Sequence, residues 1–181
     1  MLEAEVKLEI DATLEASLRA RLAEKEATQG SPIQQLDIYF AHPNRDFAQT
    51  DEALRIRCDD HGLFITYKGK KLDPPRKTRE EIEFGLATET DTAVQLLERI
   101  GFSQVARVEK TRTEFSLAGP PRAIVSIDQV GELGTFCEVE VSAATVEEGR
   151  DSLDLCLREL GLAERAPIPT SYLELLLAER S

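Results

Sequence analysis

Between Leu2 and Ile10 every second residue is apolar: Leu2, Ala4, Val6, Leu8 and Ile10 take one side, Glu3, Glu5, Lys7 and Glu9 the other. Successive side chains of a strand point to opposite faces, so this segment predicts a strand with one buried face. The pattern returns along the chain. Leu54 and Ile56 oppose Arg55 and Arg57, and Ile82 and Phe84 oppose Arg79, Glu81 and Glu83. A strand over 63–68 ends at Lys68, with Lys70 two residues on, and the run 105–117 carries Lys110, Arg112 and Glu114 on one face. Asp128 lies on a strand over 123–130, while Glu138 and Glu140 oppose Cys137, Val139 and Val141. With 34–40, the chain holds about eight strands.

Between the strands lie helix signals. Asp11 or Thr13 caps a stripe of Leu14, Leu18 and Leu22, and a helix over 90–100 stops at Gly101. Thr145-x-x-Glu148 opens another that closes at Gly161, and Ser171-x-x-Glu174 opens a short last one. Strands joined by turns as tight as Asp59-Asp60-His61-Gly62 are antiparallel neighbours, so the fold class is α+β. Periodicity alone leaves an open sheet and a closed barrel equally available.

The charged faces are nearly pure Glu, Asp, Arg and Lys, with acidic and basic clusters on different strands. One-sided burial of an antiparallel sheet accounts for alternation strand by strand. If the sheet closes, the same faces point into a lumen. Several carboxylates gathered there stay ionised only beside cations, and hard oxygen donors suit Mg²⁺ or Mn²⁺. Arg and Lys at the same depth suit phosphate oxygens. Together these are the parts of a polyphosphate site.

The 181 residues fit one domain spanning 1–181, with 22 basic against 34 acidic residues and a net charge of −12. Such a body repels nucleic acid and anionic lipid, so neither is expected as a partner. Three cysteines without a Cys-x-x-Cys pair fit small apolar fillers in a reducing, cytoplasmic setting. No apolar run approaches a membrane span. His42, beside Pro43, and His61, beside Gly62, read as turn residues. The segment from Lys68 to Arg79 holds six basic residues and Asp73, and reads as a flap over an anion or as a solvated loop. An outer edge or helix face leaves room for a homodimer without specifying one.

Glu3-Ala4-Glu5-Val6-Lys7 is similar to the Glu-x-Glu-x-Lys signature of the CYTH superfamily, the triphosphate tunnel metalloenzymes. It is followed in family order by Leu54-Arg55-Ile56-Arg57, Tyr67-Lys68-Gly69, Lys110-Thr111-Arg112, Asp128 and Glu138-Val139-Glu140. The stretch from Asp37 to Arg57 resembles the class IV adenylyl cyclase branch more than the thiamine triphosphatase branch. Ser171-Tyr172 resembles a short C-terminal motif of the family. The resemblance implies a closed eight-stranded antiparallel β-barrel, a tunnel with helices packed outside. It implies metal ligands at Glu3, Glu5, Asp128, Glu138 and Glu140, and a triphosphate held by Lys7, Arg55, Arg57, Lys68, Lys110 and Arg112. Lys7 with Tyr39 matches a water-activating pair of some hydrolytic members. The expected activity is conversion of ATP to cyclic AMP and pyrophosphate with Mg²⁺ or Mn²⁺. The alternatives are a triphosphatase acting on tripolyphosphate, thiamine triphosphate or a nucleoside triphosphate, and a non-catalytic nucleotide- or polyphosphate-binding module.

Overall fold

The computed structural model describes residues 2–72 and 78–179. In chain order the elements are β1 (Leu2–Glu9), α1 (Ala12–Glu24), β2 (Thr28–Gln29), β3 (Ile33–Ala41), α2 (Phe47–Thr50), β4 (Ala53–Asp59) and β5 (Gly62–Lys68). Then come β6 (Arg79–Leu86), α3 (Thr90–Arg99), β7 (Ser103–Leu117), β8 (Ala123–Val130), β9 (Gly134–Ala143), α4 (Val146–Glu159) and α5 (Tyr172–Glu179).

The sheet runs β7-β3-β4-β5-β6-β1-β9-β8, and β8 returns to β7, so eight antiparallel strands close on themselves. Closure is what periodicity left open. The long β7 makes it: Arg112 faces Ile33 of β3 on one side and Asp128 of β8 on the other. The two-residue β2 pairs with Ser116 and Phe115 outside the barrel, an extra strand too short to leave a pattern in the sequence.

The alternation of β1 does what its apolar face dictates. Ala4, Val6, Leu8 and Ile10 are buried under α1 and α4 with Leu18, Leu22, Leu153, Cys156 and Leu160. The Asp11 carboxylate accepts from the Leu14 N–H at 2.8 Å and starts α1. Helix α4 starts at Thr145, whose Oγ1 accepts from the Glu148 N–H at 3.1 Å. It lies so close to the barrel that a Cβ on Gly149 would sit 2.9 Å from the Ala4 Cβ, so only glycine permits the approach. Gly161, at φ +69°, takes the left-handed turn that ends α4. A second cluster packs Ile38, Phe40, Leu54 and Ile56 under α3 through Ala93, Val94 and Leu97.

One outer face departs from expectation. Ile82 and Phe84 were read as the covered side of their strand, yet they are 51% and 57% exposed. The reason is topological. Helices α3, α4 and α5 make their main contacts with β1, β4, β7 and β9, and β6 pairs with β1 only through Glu80 and Arg79. Of the expected basic flap, residues 73–77 with Arg76 and Lys77 lie outside the described residues, while Lys68, Lys70, Lys71 and Arg79 are described.

Candidate active site

The inward faces enclose a cavity of about 970 Å³. Of the expected site residues, β1 supplies Glu3, Glu5 and Lys7, β3 Tyr39, β4 Arg55 and Arg57, and β5 Lys68. Strand β7 supplies Lys110 and Arg112, and β9 Glu138 and Glu140. Asp128 alone lies behind the lining, fully buried, with its side chain bonded to Lys110 and Arg112. The charged faces do point into a lumen, and they collect there by sign.

The cationic side is held by two aspartates. Arg57 donates from Nε and Nη2 to the two oxygens of Asp37 at 2.7 and 2.8 Å, and Arg55 Nη1 joins at 3.3 Å. Burial alone would raise the Asp37 carboxyl, but the Arg55 and Arg57 guanidiniums outweigh it and hold the group well below the usual carboxylate range. Asp128 takes Arg112 Nε at 2.7 Å, Arg112 Nη2 at 2.6 Å and Lys110 Nζ at 3.1 Å. Burial, reinforced by Arg112, lowers the Lys110 ammonium to about 8, with Asp128 opposing.

The expected pair Lys7 and Tyr39 is seated on two different strands. Lys7 is buried with Nζ 4.0 Å from the ring centroid of Tyr172 and 5.7 Å from that of Phe136, a cation–π seat. Tyr39 is buried against Asp37 and Arg55, and burial raises its hydroxyl above the ordinary tyrosine value. Both line the cavity, but Lys7 rests on the phenol that α5 brings in.

The acidic side is built differently. Glu5 of β1 faces Glu140 of β9, and Lys7 faces Glu138. Burial and a hydrogen bond with Glu140 raise Glu3 to about 7, with Lys68 and Glu81 opposing. Glu140 and Glu81 are raised too, burial being the largest cause for each. Lys68 pairs with Glu81, and Arg112 reaches Glu138. Among the described residues, no three Asp, Glu, His or Cys side chains are already arranged around one cation position. The donor chemistry nonetheless fits a hard divalent cation: crowded glutamates whose charged form is disfavoured by burial and by one another gain from a cation's charge.

The sequence left Arg79, Glu81 and Glu83 without roles, and all three face the cavity. It passed over Asp37, although Gln35, Asp37 and Tyr39 alternate with Leu36, Ile38 and Phe40, a signal of the same kind as in β1. Tyr172 was noted only as part of a motif.

Three comparisons bear on this site. A CYTH domain profile matches residues 1–172. A candidate adenylate cyclase of Methanocaldococcus jannaschii, MJ0240, is 40% identical over 144 residues, covering 78% of this chain and 80% of that protein. The structure of PH1819 from Pyrococcus horikoshii OT3 superposes with a TM-score of 0.85 at 36% identity, covering 98% of this chain and 99% of that one. HpAC1 from Hippeastrum, described as an adenylyl cyclase candidate with a dominant triphosphatase activity, shares the fold at a TM-score of 0.68 and 17% identity, over 98% of this chain and 95% of that one. CYTH members are enzymes of the adenylyl cyclase or triphosphatase kind and use divalent metal ions. No helix among the described residues is long and apolar enough to cross a membrane. By its tunnel and by a profile match across nearly its whole length, this chain belongs to the CYTH family.

Proposed function

We propose that this chain is a class IV-type adenylyl cyclase, converting ATP to cyclic AMP and pyrophosphate. The observation that carries a triphosphate substrate is the convergence of Lys7, Arg55, Arg57, Lys68, Lys110 and Arg112 on one cavity that glutamates also line. A triphosphate carries about four charges at neutral pH, and a cradle of oriented guanidinium and ammonium groups neutralises them. A cavity of about 970 Å³ also has room for a nucleoside beyond the phosphates. The name of the Methanocaldococcus jannaschii relative supports ATP as that nucleotide.

In this reading Glu3, Glu5, Glu138 and Glu140 hold Mg²⁺ or Mn²⁺. When bound, the cation supplies Lewis-acid neutralisation of the oxygens that gain charge. Arg55 and Arg57 orient the phosphate chain from β4, and Lys110 and Arg112 from β7. Held in line, the ribose 3′-hydroxyl gives its proton to a cavity carboxylate or to water as its oxygen bonds the α-phosphorus and the bond to the bridging oxygen breaks. The basic residues stabilise the charge that develops on the leaving pyrophosphate. Barrel walls on all sides limit competition from water. We place this activity in the cytoplasm, in the unit spanning 1–181, as a monomer or homodimer.

A second reading is hydrolysis of tripolyphosphate or of thiamine or nucleoside triphosphate. It is favoured by the presence of both Lys7 and Tyr39 at the cavity, and HpAC1 has the same fold with a dominant triphosphatase activity. Phosphorus NMR of products formed from ATP, tripolyphosphate and thiamine triphosphate, each with Mg²⁺ and with Mn²⁺, separates the two. Cyclic AMP with pyrophosphate is the expected outcome. Orthophosphate from tripolyphosphate or thiamine triphosphate, with ATP intact, would establish the triphosphatase instead. Binding without turnover of all three would leave a binding module.

A further inference from the structure

Asp128 carries the family's expectation of a metal ligand, and its bonding points elsewhere. A carboxylate has two oxygens and about four lone-pair sites. In Asp128 four hydrogen bonds meet them: Arg112 Nε on Oδ1 at 2.7 Å, and Arg112 Nη2, Lys110 Nζ and Tyr172 Oη on Oδ2 at 2.6, 3.1 and 2.9 Å. The side chain is fully buried and is the one expected ligand that does not line the cavity. Asp37 repeats the arrangement across the barrel, with one arginine in a two-pronged grip and a second cation beside it. The glutamates differ on each count: they line the cavity, crowd one another and share hydrogen bonds among themselves.

Resting on the triphosphate reading above, we infer that Asp128 is a positioning residue for the phosphate cradle and not a ligand of the metal. Its two oxygens fix the position of the Lys110 ammonium and the plane of the Arg112 guanidinium, and the Tyr172 hydroxyl ties the same carboxylate to α5. The ring of Tyr172 in turn lies 4.0 Å from Lys7 Nζ and 5.1 Å from Lys110 Nζ, centroid to nitrogen. One buried carboxylate therefore sets three of the cations that meet the substrate, two directly and Lys7 through the ring it anchors. Coordinating a cation through Asp128 would require it to give up at least one of those charge-assisted bonds inside the protein, where the loss is greatest. Glu140 and Glu138 both line the cavity, and of Asp128's donors Glu138 takes one Arg112 nitrogen.

The test separates the two ligands that an acidic residue here can serve. Mn²⁺ binding is measured by electron paramagnetic resonance without phosphate, and tripolyphosphate binding by calorimetry in EDTA without divalent metal, both well below the melting temperature. Asp128→Asn keeps the shape but turns a donor toward Lys110 and Arg112. It is expected to weaken metal-free tripolyphosphate binding by about tenfold or more. Its Mn²⁺ affinity should fall by less than its tripolyphosphate affinity, since Asp128 touches the glutamates' side through the contact of Arg112 with Glu138. Glu140→Gln is expected to show the reverse pattern, losing Mn²⁺ and keeping tripolyphosphate. Leu153→Ala, a core change remote from the cavity, controls for loss of stability alone and should move neither affinity.

Loss of Mn²⁺ binding in Asp128→Asn with tripolyphosphate binding intact overturns the inference, as does a variant indistinguishable from wild type in both. If Asp128→Asn does not fold, wild-type crystals soaked in Mn²⁺ decide. Manganese on the glutamates, with Arg112 still gripping Asp128, is expected, and manganese on an Asp128 oxygen refutes it. A wild type that binds tripolyphosphate but no Mn²⁺ would refute the metal-dependent reading separately. The role of Asp128 would then stand or fall on the tripolyphosphate arm.

Discussion

The tunnel contains two populations of carboxylate that differ by one methylene and by their neighbours. Asp37 and Asp128 are short, buried, and answered in full by guanidinium and ammonium donors. Glu3, Glu81 and Glu140 are longer, reach the cavity, and are held by burial above the ordinary glutamate value. In the first region negative charge is neutralised by the protein itself, permanently. In the second, burial favours the uncharged form while Lys68 and Arg112 supply positive charge nearby, and an incoming divalent cation can take over that neutralisation. The aspartates therefore belong to the rigid frame that aims the cations, and the glutamates to the part that remains open to exchange.

The largest expected effect lies in the frame. Asp37→Ala leaves Arg55 and Arg57, each with a side chain 11% exposed, without the buried carboxylate they share, and uncompensated buried charge costs at most about 3–5 kcal/mol. Urea denaturation at neutral pH measures it. A cost no greater than that of Glu5→Ala would erase the distinction between the two regions.

The glutamate region answers to pH. Glu3 is raised from an ordinary 4.5 to about 7, so the folded protein binds its proton more tightly than the unfolded chain does. Stability contributed by that proton is present in full below about 4.5 and is lost as pH rises through about 7, to at most about 3 kcal/mol. Glu3→Gln should remove this slope from metal-free urea midpoints taken between pH 4.5 and 8. Saturating Mg²⁺ should flatten it in the wild type, since the cation takes the place of the proton. A slope unchanged by either would show that Glu3 does not share the crowded site. The frame shows the opposite sign: Asp37, depressed by its guanidiniums, contributes stability that is lost only in acid, below its ordinary 3.8.

How far the sequence reached follows the same division. Alternation in β1, β4, β7 and β9 was legible because each strand's period is local, and it identified the inward charges. Barrel closure was legible through the resemblance of the motif series and not through periodicity, since the register of Ile33 with Arg112 and of Glu3 with Arg79 joins residues far apart in the chain. Ile82 and Phe84 misled for a related reason. A strand's pattern says which residues share a face, never whether a helix covers it. Asp37 was hidden by its apolar neighbours Leu36 and Ile38, although its spacing from Tyr39 gave the face. The role of Tyr172 depends on contacts with Asp128 and Lys7, which no local motif encodes.

Arg57 tests whether the frame and the substrate use the same side chain. Arg57→Ala removes one cradle contact, worth about 1.5–3 kcal/mol, and should raise KM for the triphosphate while Mn²⁺ affinity stays the same. Arg57→Lys should recover only part of the loss, because an ammonium replaces the point charge but not the two-pronged fork on Asp37. Full recovery would make charge, and not orientation by Asp37, the operative property.

The smallest effect is expected at the start of α5. Ser171 Oγ accepts from the Glu174 N–H at 3.1 Å, and the Ser171 N–H donates to Glu174 Oε2 at 2.6 Å, a reciprocal cap. An eight-residue helix is too short to persist by itself, so α5 depends on this cap and on the seating of Tyr172. Ser171→Ala should cost about 1 kcal/mol, a drop of about 2–4 °C in Tm. The informative readout is where that loosening is felt. Tyr172 reaches Asp128, Lys7 and Lys110, so metal-free tripolyphosphate affinity should fall by about fivefold if the full 1 kcal/mol is transmitted. Glu3, Glu81 and Glu140 are coupled to one another and to Lys68, so Mn²⁺ affinity should fall less. Equal losses in both would mean that the two carboxylate populations respond as a single unit, with α5 coupled to the whole tunnel and not to its cationic side.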